Sequence, residues 1–133
     1  MLILNKKKMK KIILLVSLII LLSCVDNNSK VMEEKLYHIV LFQFKETTTN
    51  EKIEAIKKAA LELRDIKGVN NLTWAENVSP ENLNKGLTHS LTMDFKNEYD
   101  RDSIYLPHPV HVSFGEIFVP ELENIVVYDY WSN

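Results

Sequence analysis

The segment Tyr37–Lys45 (YHIVLFQFK) constrains this chain more than any other stretch, because it is apolar on both of its alternations. Side chains along a β-strand point to opposite faces in turn. Tyr37, Ile39 and Leu41 fall on one face, and Val40, Phe42 and Phe44 on the other. A strand of that kind must be covered on both sides, and the periodicities that follow indicate the cover. Thr48-x-x-Glu51 is a capping-box pattern; Ile53, Ile56, Ala60 and Leu63 then recur at helical spacing until Gly68 stops them. Asn71–Val78 and Leu87–Phe95 read as two further strands joined by the turn-rich Ser79–Gly86. A short helix is expected around Asn97–Tyr105. Another should start at Pro109, a favoured first helical residue, and run to about Phe118. Glu123–Trp131 (ENIVVYDYW) closes the series as a strand, apolar on both sides like the first.

The order β-α-β-β-α-β predicts an α+β, ferredoxin-like subunit. Its helices cover one face of the sheet, and the other face of such an antiparallel sheet is polar where it meets water. Here that face is not polar. In a domain this small the simplest cover is the same face of a second copy, so a homodimer is expected.

Ahead of the domain lies a leader. Asn5–Lys11 is positively charged, and Ile12–Leu22 is apolar apart from Ser17. Eleven residues suit the apolar core of an export signal and fall well short of the roughly 20 needed to span a bilayer as a helix. Leu21-Leu22-Ser23-Cys24 resembles the lipobox of bacterial lipoproteins, in which the cysteine is acylated and the peptide is cut before it. Cys24 is the only cysteine, so it has no disulfide partner within the chain. The expected organisation is a signal peptide over 1–23, a lipidated cysteine and polar tether over 24–35, and one domain over 36–133. A bacterial envelope protein anchored to a lipid membrane follows, since several acyl chains hold a protein stably where one does not. Five of the 16 basic residues precede Cys24 and none of the 18 acidic ones does, so the remainder carries 11 basic against 18 acidic residues. A domain that acidic is unsuited to nucleic acid, whose binding depends on neutralising phosphates. Three glycines cannot build a phosphate cradle.

The chemistry-bearing residues cluster in the domain: His38, His89, His108 and His111, with Tyr105 in Tyr105-Leu106-Pro107-His108-Pro109-Val110-His111. Three readings compete. A metal site could use His108 and His111, but His108 precedes a proline and is pushed out of helical geometry, and no carboxylate completes a set. General acid–base catalysis could use His111, kept neutral in the first turn of a helix, with Tyr105 donating to a developing oxyanion. Alternatively the same residues simply satisfy a helix end.

The segments Tyr37–Lys45, Trp74-Ala75-Glu76-Asn77-Val78 and Lys85-Gly86-Leu87-Thr88-His89, and above all Tyr105–Phe114 with its Y-x-x-H-P-x-H-x-x-F pattern, resemble the stress-responsive A/B barrel (Dabb) family from Leu36 to Trp131. The resemblance implies a dimeric α+β barrel of ferredoxin-like subunits. One plant member closes a linear polyketide by aldol condensation without a cofactor. By similarity to it, Tyr105 and His111 would be catalytic, and His38, His89 and His108 would line the pocket, together with Trp74; no metal or other cofactor is implied. A further pocket tyrosine of that cyclase is missing, since the first helix reads Ala59-Ala60 here, which argues against the same long substrate. Two functions follow. One is a small-molecule-binding or stress-related module, its ligand small and apolar or carbonyl-containing. The other is a cofactor-independent cyclase, lyase or monooxygenase-like enzyme.

Overall fold

The computed structural model describes residues 33–132. The expected signal peptide, Cys24 and the tether through residue 32 lie outside the described residues. Strand β1 (Leu36–Phe44) is followed by helix α1 (Asn50–Glu62), β2 (Asn70–Glu76), β3 (His89–Phe95), a π-helical turn (Asp100–Tyr105), α2 (Pro109–Phe118) and β4 (Leu122–Trp131). The strands form one antiparallel sheet in the order β2-β3-β1-β4, which is the ferredoxin-like α+β arrangement. No helix among the described residues is long and apolar enough to cross a membrane.

Leu36, Val40, Phe42 and Phe44 of β1 point to the helices and are buried with Ile56 and Ala60 of α1, Leu91, Met93 and Phe95 of β3, and Phe114 and Phe118 of α2. Residues paired across a ladder share a face. Tyr37, Ile39 and Leu41 pair with Tyr130, Tyr128 and Val126 of β4, so these six line the side without helices, and the Tyr37 and Tyr130 rings stack at 5.0 Å. On that same side β3 and β2 present Ser90, Thr92, Thr73 and Ala75. The open face is therefore apolar along β1 and β4 and mostly polar along β2 and β3.

Local structure departs from the sequence pattern in three places. The cap of α1 is Thr49, whose Oγ1 accepts from the Lys52 N–H at 3.3 Å, and not Thr48. The Thr48 hydroxyl is drawn instead to the carboxylate of Glu121 at 3.0 Å and its carbonyl at 3.3 Å. Helix α1 ends at Glu62, ahead of Gly68, and a 3-10 turn over Leu63–Asp65 finishes it. Gly68 has φ +94°, and a Cβ there would lie 2.8 Å from Cβ of Asp100, so the glycine lets this backbone lie against the start of the π-turn. The short helix expected at Asn97–Tyr105 is that π-turn, in which the Leu106 N–H donates to the Arg101 carbonyl at 2.9 Å. Helix α2 spans the expected residues. The ends of the domain meet: Lys35 N–H donates to Ser132 Oγ at 2.8 Å, and Ser132 N–H to the Lys35 carbonyl at 2.9 Å.

Phe42 is fully buried, with Phe118, Trp74, Phe44 and His89 around its ring at centroid distances of 4.9 to 5.5 Å. Phe42→Ala leaves a cavity in that aromatic cluster and should cost about 3–5 kcal/mol, read by chemical denaturation. A loss below about 1 kcal/mol would mean that this cluster is not the packed centre of the core.

Candidate functional site

The start of α2 is arranged by Pro109. The residue before a proline is held extended, and His108 has φ −65° and ψ 134°. From there its Nδ1 accepts from the Val110 N–H at 3.2 Å and caps the helix. His111, in the first turn, is engaged differently: its Nδ1 lies 2.9 Å from the carbonyl of Leu106. A carbonyl only accepts, so Nδ1 carries the proton and Nε2 of the neutral ring is left with its lone pair. Burial lowers the pKa of His111, the bond to Leu106 opposes that shift, and the nearby His38 and His108 add to the lowering. His111 is thereby held neutral at pH 7, with burial the first cause.

Tyr105 closes the π-turn and is 1% exposed, its ring centroid 4.4 Å from that of His111. None of the described residues hydrogen-bonds its hydroxyl. No side-chain N or O atom among them is both sealed from solvent and unpartnered. Burial first, and the charge of Asp129 second, push the Tyr105 pKa up. The group is a hydrogen-bond donor, not a base.

His38 is buried on the helix side of β1, with Tyr105 edge-on at 5.9 Å and Phe95 at 6.3 Å. Its Nδ1 donates to Oδ1 of Asp129, directly opposite on β4, at 2.7 Å. The other oxygen of Asp129 accepts from Arg101 Nη1 at 2.8 Å. Beyond Asp129 the helix-facing side of β4 continues through Val127 and Ile125, which are 56% and 46% exposed. An open apolar strip thus leads away from the polar cluster of Tyr105, His111, His38 and Asp129.

The other expected site residues lie elsewhere. His89 projects from the helix-facing side of β3, but its ring stacks on Phe42 at 5.5 Å and meets Trp74 at 5.9 Å. Phe42 is four residues along β1 from His38, roughly 13 Å at the rise of a strand. His89 and Trp74 therefore occupy the opposite end of the sheet. There His89 borders a separate concavity of about 820 Å³, with Leu41, Val78, Leu83 and Leu87. Burial lowers the His89 pKa against an opposing effect of Glu76, with Lys57 adding to the lowering. Among the described residues no group of three or more His, Cys, Asp or Glu is placed to hold a metal ion. Asp129 and Arg101 join the site unannounced by any motif; the available signal is an acid between Tyr128 and Tyr130 in the otherwise apolar run 125–131.

Comparison with known proteins places this arrangement. Residues 36–132 match the Stress responsive A/B Barrel Domain family. The stress-response A/B barrel domain-containing protein HS1 of Arabidopsis thaliana is 35% identical over 70% of this chain and 85% of its own. Olivetolic acid cyclase of Cannabis sativa is 28% identical over 70% of this chain and 92% of its own. Among solved structures, a hydroxynitrile lyase from Passiflora edulis superposes with a TM-score of 0.71 at 25% identity, covering 76% of this chain and 95% of its own. A dimeric ferredoxin-like protein from Thermobifida fusca shares the fold at 21% identity and a TM-score of 0.64, over 74% of this chain and 92% of its own.

Two histidines with lowered pKa make stability depend on pH below neutrality. Between the depressed value and the ordinary 6.5 the unfolded chain binds more protons than the folded one, so stability rises with pH. Their contribution is fully present above about 6.5 and is lost as pH falls through that value toward the folded pKa. Denaturation midpoints should decline from pH 7 to pH 5, and the His111 ring should titrate below 6.5 by NMR. A His111 resonance titrating at or above 6.5 would contradict the burial argument.

Proposed function

The chain belongs to the stress-responsive A/B barrel domain family, and on that premise we propose that it is a dimeric small-molecule-binding module, anchored to a bacterial envelope membrane through Cys24, whose ligand is small, apolar and carbonyl-bearing. The observation that carries the ligand is the Tyr105 hydroxyl, a donor without a partner among the described residues, beside His111, whose Nδ1 is engaged by Leu106 and whose Nε2 keeps its lone pair. A carbonyl oxygen accepts from the phenol, and the rest of an apolar molecule lies along Val127 and Ile125. A site built to hydrogen-bond one group discriminates strongly against analogues lacking it.

Turnover at the same site is the second reading. Nε2 of His111 takes a proton from the carbon α to the carbonyl, and Tyr105 hydrogen-bonds the oxygen as it gains negative charge. The imidazolium keeps its Nδ1–H on Leu106 and returns the Nε2 proton to the product. The named activities of two relatives, a cyclase and a lyase, favour this reading.

The dimer is supported by the open face, where Val126 and Tyr128 beside Ile39 and Leu41 remain apolar and accessible. The anchor is supported by the leader, whose apolar run ends at Ser23-Cys24.

Calorimetric titration with 2-heptanone tests the ligand class. Tyr105→Phe keeps the buried ring, and His111→Gln keeps a donor for Leu106; each should weaken binding about tenfold, the cost of one good hydrogen bond, with little change in thermal midpoint. Parent-like affinity in both variants would sink this reading. A second experiment tests anchor and dimer together. Cys24→Ala should abolish fatty-acid labelling and move the chain from membranes to the soluble fraction, where light scattering should read twice the monomer mass. Persistent labelling would refute the anchor, and a stable monomer would refute the dimer.

A further inference from the structure

Arg101 makes none of the ligand contacts proposed above, yet continuous hydrogen bonds tie it to them. Its Nη1 donates to Asp129 Oδ2 at 2.8 Å, and Asp129 Oδ1 accepts from His38 Nδ1 at 2.7 Å. The other edge of the guanidinium is gripped by Asp102, through Nε at 2.6 Å and Nη2 at 3.2 Å. A planar fork held from both sides has little freedom to turn. The two carboxylates also push the arginine pKa further up.

The π-turn explains why this arginine is available. Its hydrogen bond reaches from Leu106 back to Arg101, one residue further than in an α-helix. The widened turn carries Arg101 toward Asp129 while Tyr105, at its end, meets His38 and His111. Such turns are rare and concentrate at functional sites.

A neutral imidazole has two tautomers, and the bond made by one nitrogen decides which is present. Asp129 is partly exposed, with a side-chain accessibility of 25%, so by itself its carboxylate could turn to water. Arg101 occupies the second oxygen and aims the first at His38. We propose that Arg101 is a positioning residue of this site: by holding Asp129 it keeps His38 in the Nδ1–H tautomer, leaving Nε2 as the acceptor on the ring that Tyr105 faces. The consequence for binding rests on the small-molecule reading; the tautomer does not.

The test is ¹⁵N NMR of the imidazole rings in the full chain, in detergent micelles at pH 8. The parent should show His38 as one tautomer, protonated at Nδ1. Arg101→Met should give mixed tautomers with a parent-like amide spectrum, and should weaken 2-heptanone binding about tenfold, within the range of coupling between members of one hydrogen-bond network. Arg101→Lys, which keeps the charge but not the fork, should fall between the two. A folded Arg101→Met variant that retains the single Nδ1–H tautomer overturns the proposal. Should Arg101→Met not fold, Arg101→Lys decides: a mixed tautomer supports the positioning role, and the parent tautomer overturns it. A parent that ignores 2-heptanone removes the ligand reading and leaves the tautomer result to stand or fall separately.

Discussion

The antiparallel ladder between β1 and β4 runs the length of both strands, from Leu36 opposite Trp131 to Phe44 opposite Leu122, and it decides what each side of the domain can do. Toward the helices it sets His38 against Asp129. Away from them it sets Tyr37 against Tyr130 and Leu41 against Val126. A slip of one residue in β4 would exchange its two sides, moving Asp129 off the histidine and a tyrosine into its place. The irregularity in this ladder falls between Gln43 and Phe44, at the end far from the site, where it leaves the His38–Asp129 pairing untouched.

Polar groups set into an apolar layer need partners, and here nearly every one has them. His38 is bonded to Asp129, Asp129 to Arg101, Arg101 to Asp102, and His111 to Leu106. Leaving a buried donor unmet costs on the order of 1–3 kcal/mol. The Tyr105 hydroxyl is the exception, with no partner among the described residues.

Local order was legible wherever a period and its end signals coincide. Pro109 and the apolar spacing behind it mark α2, and the strand–helix order follows from alternation. What failed was decided at long range. Thr48 and Thr49 are equally able to cap α1, and only Glu121, distant in the chain, separates them. No repeat announces a π-turn, since its defining bond is backbone alone. The pairing of Tyr105 with His111 could be read because the two are close in sequence. The distance of His89 and Trp74 from that pair could not, because alternation gives the face of a strand and not the height along it. Asp129 and Arg101 meet only through the register of β4 against β1, which no local pattern encodes.

The bonds between Lys35 and Ser132 make the domain nearly a closed ring. In terms of connectivity, the place where the chain starts is almost arbitrary. Domains whose ends adjoin tolerate having those ends joined and the chain reopened at an exposed loop, and here the long connection between β2 and β3 is such a loop. What defines this fold is the cyclic order of its strands.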